Sequence, residues 1–148
     1  MNKRVIHGVA MLGVITLVFG AFHLAFVLSE NASLDKWTKP ARPGQFDIAI
    51  RVDWGDWWEM KRAADEVYTV IPQDLTTCGE GSVYQKWRGS GYWRICLKVS
   101  DNTSLQDLAN KCGKAVRSYV KSRKPGGRCR VCVVDANGTV YWPEEPQE

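Results

Sequence analysis

The chain opens with a long apolar block and then breaks into short, alternating pieces. Residues 5–28 read VIHGVAMLGVITLVFGAFHLAFVL, with no Lys, Arg, Asp or Glu. A helix of that length reaches roughly 36 Å, enough to cross a hydrocarbon core of about 30 Å with some tilt. A chain of 148 residues has no core able to surround such a helix on every side. The pattern therefore predicts a short cytoplasmic N-terminus and a transmembrane helix over residues 1–28. Lys3 and Arg4 precede the run while Glu30, Asp35 and Lys36 follow it, which orients the N-terminus inside and the remainder outside. The alternative is a signal peptide cleaved near Ser29, but its apolar region is normally about 7–15 residues. The length favours an uncleaved signal anchor in the inner or plasma membrane, single-pass, with a periplasmic or extracellular C-terminal domain.

Residues 29–45 are polar and contain Pro40, Pro43 and Gly44, the composition of a short stiff linker. Residues 46–52 alternate as a strand with Phe46, Ile48, Ile50 and Val52 on one face. Asp53 is expected to cap a helix over 54–68, where Trp57, Met60, Ala64 and Val67 recur at helical spacing. A loop is expected around Cys78, Gly79 and Gly81. Residues 83–87 and 92–99 then read as a hairpin across Arg88-Gly89-Ser90-Gly91, which would set Trp87 opposite Tyr92 and Val83 opposite Cys96.

The clearest periodicity lies in residues 104–123. Leu105, Leu108, Cys112, Ala115, Val116, Tyr119 and Val120 trace one helical face, and Lys111, Lys114, Arg117 and Lys121 trace the other. Thr103 and Gln106 have capping-box spacing at its start, and Pro125-Gly126-Gly127 ends it. A second hairpin joins 129–134 to 139–142 across Asp135-Ala136-Asn137-Gly138, and 143–148 is an acidic, Pro-rich tail. These pieces predict an α+β domain over 46–142, with helices on one face of a mainly antiparallel sheet.

Composition adds the chemistry. Cys78, Cys96, Cys112, Cys129 and Cys132 all lie beyond the apolar run, and in a small exported domain they read as a disulfide framework with one thiol left over. Their connectivity stays open on this reading. Of 20 Lys and Arg, two precede the run, leaving 18 against 16 Asp and Glu, so net charge does not argue for nucleic acid. Both histidines, His7 and His23, fall inside the run. The domain beyond it therefore lacks the residue that Ser-His-Asp and Cys-His catalysis and His-ligated zinc require. No cofactor or metal is expected.

Three constellations remain. Asp53, Asp56 and Glu59 sit among Trp54, Trp57 and Trp58, as paired carboxylates and aromatic rings do in glycosidases, although acidic residues also suit the first turn of a helix. Cys129 and Cys132 form C-x-x-C, but on a strand their side chains point to opposite faces, unlike a redox pair at a helix N-terminus. Residues 111–130 hold eight basic residues and no acidic one, a solvated face or a dock for anionic lipid, nucleic acid or an acidic partner. Candidate partner contacts are Lys114, Arg117 and Lys121 here, with Trp87, Arg88, Tyr92, Trp93 and Arg94 around the hairpin, since aromatic and Arg side chains dominate interface hot spots.

Within residues 91–117, Gly91, Asp101, Ser104, Leu108, Cys112, Ala115 and Arg117 resemble the C-terminal part of the T-even phage holins, single-span proteins with a periplasmic domain. The layout of basic N-terminus, apolar run and α+β domain is also similar. The resemblance implies a Cys78–Cys112 disulfide, homo-oligomerisation, timed permeabilisation of the host and a domain that receives an antiholin partner. The expectation is thus a non-enzymatic, membrane-anchored protein with an extracytoplasmic partner-binding domain, a holin-like regulator of lysis timing. The alternatives are an exported enzyme acting on saccharide or cell wall, and a secreted, disulfide-stabilised binding protein.

Overall fold

Alternation in residues 45–52 places the centre of the domain. The strand β1 (Gln45–Val52) sends Phe46, Ile48, Ile50 and Val52 to one side of the pleat, and none is more than 2 % exposed. The computed structural model describes residues 14–26, 28, 35–86, 88–100, 102–123 and 125–144. After β1 come α1 (Trp57–Tyr68), β2 (Thr77–Gln85), β3 (Ser90–Lys98), α2 (Leu105–Arg123), β4 (Cys129–Val134) and β5 (Val140–Tyr141). The strands form one sheet in the order β2-β3-β1-β4-β5, and every neighbouring pair is antiparallel.

Two helical crossovers, β1-α1-β2 and β3-α2-β4, make this a split βαβ arrangement of the ferredoxin-like kind, with β5 added at one edge. Both helices lie against the face that carries Phe46, Ile48, Ile50 and Val52. Met60, Ala63, Ala64 and Val67 of α1 and Leu108, Ala109, Cys112 and Val116 of α2 join them in the main core. The opposite face carries a smaller core in which Trp37, Ala49, Cys132 and Val134 pack together. Trp37 belongs to a 3-10 turn at Asp35–Thr38. Arg94 fixes that turn, donating from Nη1 to the Lys36 carbonyl at 3.2 Å and from Nη2 to the Lys39 carbonyl at 2.6 Å while paired with Asp47. Part of the expected linker is thereby folded onto the sheet; its residues 29–34 lie outside the described residues.

Several local expectations are revised. Helix α1 begins at Trp57, and its cap is Asp56, whose carboxylate accepts from the Glu59 N–H at 2.9 Å. Asp53 accepts instead from Arg51 Nε at 3.1 Å and from Arg130 Nη2 at 3.4 Å. The capping box at Thr103 is replaced by Ser104, whose Oγ accepts from the Asp107 N–H at 3.3 Å. Gln106 reaches forward to the Trp142 carbonyl at 2.7 Å. Strand β2 starts at Thr77, where a loop was expected, and its register sets Val83 opposite Tyr92 and Gly79 opposite Cys96. Exposure on an edge strand removes the apolar alternation by which such a segment is recognised. The second hairpin turn is as expected: Asp135 Oδ1 accepts from the Asn137 and Thr139 amides at 2.9 and 2.8 Å.

Two larger expectations are corrected. The chain divides into Met1–Ser33 and Leu34–Glu148. Of the expected span, residues 5–13 and 27 lie outside the described residues, as do Lys3 and Arg4; residues 14–26 and 28 are helical. No helix among the described residues is long and apolar enough to cross a membrane. The single-pass anchor and the inner-membrane location expected from it are corrected on this ground.

The disulfide framework is corrected as well, because all five cysteines are free thiols. The Cys78–Cys112 pairing fails on geometry. Cys112 is fully buried in the main core beneath α2, whereas Cys78 is exposed on β2 and lines a hollow on the opposite face beside Cys96. The sheet stands between them. Cys129 and Cys132 are likewise kept apart, one in the main core and the other in the smaller core on the far face.

Candidate partner-binding cleft

Helix α2 extends its basic face beside β4, and the loop joining them leaves a cleft. Gly113, Val116, Arg117, Val120 and Lys121 follow one another at helical spacing along the cleft wall. Pro125, Gly126, Gly127 and Arg128 close one end, and Cys129 and Val131 contribute from β4. The volume is about 280 Å³. Its apolar floor of Val116, Val120 and Val131 is rimmed by Arg117, Lys121 and Arg128, and no carboxylate lines it among the described residues.

The loop is held by close packing. A side chain on Gly127 would begin 2.7 Å from Trp54 Nε1, so only glycine lets the backbone lie on that indole. The Asp53 N–H donates to the Arg128 carbonyl at 3.0 Å, tying the loop to the end of β1. A second hollow of about 270 Å³ continues along the helix between Asn110, Lys111, Lys114, Arg117, Pro143 and Glu144. Here the C-terminal stretch is strapped to α2. Asn110 Oδ1 accepts from the Glu144 N–H at 2.9 Å, and Pro143 occupies the space a Cβ on Gly113 would need. Residues 145–148 of the expected tail lie outside the described residues. Arg117 borders both hollows, and three basic candidates, Lys114, Arg117 and Lys121, are thus brought onto one surface.

The aromatic candidates are dispersed. Trp87 lies outside the described residues. Arg88 is exposed in the β2–β3 turn. Tyr92 packs against the smaller core. Trp93 points to the helical face, where its Nε1 donates to Glu80 at 3.1 Å and its ring lies 5.7 Å from Trp57. Arg94 is the clamp on the 3-10 turn. Strand alternation sends neighbours to opposite faces, so adjacent residues in sequence do not make one patch.

The carboxylates near the tryptophans serve three separate local bonds. Asp56 caps α1, Asp53 pairs with Arg51 and Arg130, and Glu59 accepts from the Tyr119 hydroxyl and faces Arg62 at 3.6 Å. The Tyr119 hydroxyl is pushed up to about 12 by burial and by its bond to Glu59. Burial pushes the thiols of Cys112, Cys129 and Cys132 up to about 12 also, keeping them protonated at neutral pH and poor as nucleophiles. Cys96 rises to about 12 through burial first, then the charge of Asp47 and a bond with the neighbouring Cys78.

Sequence reasoning placed the basic face of α2 but missed the cleft that gives it shape. Val131, Arg128 and the seating of Gly127 on Trp54 depend on contacts between distant segments. The available signal was Pro-Gly-Gly directly after an amphipathic helix, inside the acid-free run. No family model, curated protein or solved structure matches this chain.

Proposed function

We propose that the unit Leu34–Glu148 is a non-enzymatic partner-binding domain that grips an acidic segment of another protein, anchored by an apolar side chain, in the cleft between α2 and β4. One observation carries the reading: an apolar floor of Val116, Val120 and Val131 ringed by Arg117, Lys121 and Arg128. An apolar side chain entering there leaves water, and flanking carboxylates meet the positive rim of Arg117, Lys121 and Arg128. The resemblance of residues 91–117 to T-even holins reaches this cleft at Arg117, which lines it. It supports a partner that regulates the timing of host lysis.

Inducible expression in a bacterial host that also makes a cytoplasmic endolysin tests the lysis role. Abrupt growth arrest at a set time, shifted by Arg117→Glu with Lys121→Glu, is the expected result. Indefinite harmless expression of both forms would remove that role while leaving partner binding to be measured directly.

A further inference from the structure

The two edges of the sheet are finished differently. One is the two-residue strand β5, and a very short edge strand is one of the devices that keep a sheet from recruiting another strand. The other edge is β2, with nine residues and neither Lys nor Pro among them. It pairs only with β3 among the described strands, and Thr77 through Ser82 are exposed. Its single irregularity lies between Thr77 and Gly79, so residues 79–85 run in regular register with an outer row of amides and carbonyls available.

The side chains on that edge complement themselves. Residues 80–86 read Glu-Gly-Ser-Val-Tyr-Gln-Lys. When this segment is laid antiparallel on a second copy about Val83, each valine meets the other and Ser82 meets Tyr84. Gly81 meets Gln85, and Glu80 meets Lys86. Every other small residue therefore faces a large one, and each charge faces its opposite, the pairings that stabilise antiparallel neighbours. A Cβ at Gly81 would meet nothing within 4 Å, which leaves room beside the partner's glutamine. The Glu80 carboxylate is already fixed at the edge, accepting from the Tyr68 hydroxyl at 2.8 Å and from Trp93 Nε1 at 3.1 Å. Moving the centre to Gly81 loses the pairing of Glu80 with Lys86. Moving it to Gln85 draws the β2–β3 turn beyond its first residue, Lys86, into the ladder.

We propose that β2 adds to β2 of a second copy of this chain, antiparallel and centred on Val83, so that two five-stranded sheets become one continuous sheet. The contact is isologous, and its two-fold axis passes beside Val83. This inference is independent of the cleft, which lies on α2 and β4.

Site-specific cross-linking of the full chain tests it. Cys78→Ser removes the exposed native thiol, and Val83→Cys or Gly81→Cys is added to that background. Directly opposed strand residues have Cα atoms about 4.5–5.5 Å apart, whereas Gly81 and its own copy would be offset by four residues, roughly 13 Å. Under a mild oxidant the Val83→Cys chain should form a disulfide-linked dimer about tenfold faster than the Gly81→Cys chain. Lys86→Glu should slow the Val83 cross-link several-fold, and adding Glu80→Lys should restore it. No dimer at Val83, equal rates at the two positions, or indifference to Lys86→Glu in a folded chain would each overturn the proposal.

Discussion

The two ends of the sheet show what cover does to a strand. Toward one end, next to the short edge strand β5, β4 is buried at every position except the half-buried Arg130, with α2 on one face and Trp37 on the other. At the opposite end β2 exposes its first six residues and touches α1 chiefly through Tyr68 and Glu80. The helices differ in length to match, 19 residues in α2 and 12 in α1. The longer helix and the Pro-Gly-Gly loop create a shaped, charged cleft beside β4. The shorter one leaves β2 bare. Cover therefore yields a concave site at one end, while its lack leaves a strand edge at the other.

Mutations separate the two ends by size of effect. Phe46→Ala removes a fully buried ring from the strand that joins them, and a loss of about 3–5 kcal/mol is expected in chemical denaturation. Thr77→Ala on the bare edge should change stability by less than about 0.5 kcal/mol. Comparable losses at the two positions would break the contrast.

Arg94→Ala comes next. It leaves Asp47 without its partner and frees the Lys36 and Lys39 carbonyls, with both side chains of the pair only 14 % exposed. A cost of about 2–3 kcal/mol is expected, reduced from a fully buried pair by partial solvation, with a red-shifted tryptophan emission as Trp37 is uncovered. Gly91→Ala probes the junction of β2 with the core. A Cβ there would stand 2.5 Å from the Val83 carbonyl oxygen and 3.0 Å from Met60 Sδ, so the strands must part, at about 1–3 kcal/mol.

The last effect is chemical. With a thiol reagent at pH 8, the exposed Cys78 should react first, while Cys112, Cys129 and Cys132 should react only at the rate of unfolding. Their thiols are raised from 9.0 to about 12, so the folded chain holds protons that the unfolded chain releases between those values. Stability from this source is full below about pH 9 and declines as pH climbs toward 12. Denaturation midpoints measured from pH 8 to 11 check the sign; a rising midpoint would contradict it.

The same contrast explains what was legible in the sequence. Strand β1, helix α2 and strand β4 carry their burial as periodicity, and each was placed within a residue or so of its observed ends. β2 was misjudged because Gly79, Glu80 and Gly81 have no buried face to repeat. The cap of α1 fell to Asp56, since Asp53 is drawn to Arg51 and Arg130, the latter 77 residues away. The cysteines misled for a related reason. Their number and spacing suggested bridges, but the sheet puts Cys78 and Cys112 on opposite faces. At the site, the basic helix face was readable from spacing alone. Its apolar floor was not, because Val131 and the loop seated on Trp54 arrive there only through the β3-α2-β4 crossover.

The direct test of the cleft is a titration of the full chain with a synthetic amphipathic peptide whose leucines recur at helical spacing and whose remaining face is glutamate. Calorimetry should detect binding that weakens as salt rises, since three rim cations face the glutamates. Lys121→Glu with Arg128→Glu, both at exposed positions, should lower affinity at least about tenfold, roughly 1.4 kcal/mol, with the denaturation midpoint unchanged. Equal affinity in the variant, or equal binding of the same peptide with lysine in place of glutamate, would contradict the account.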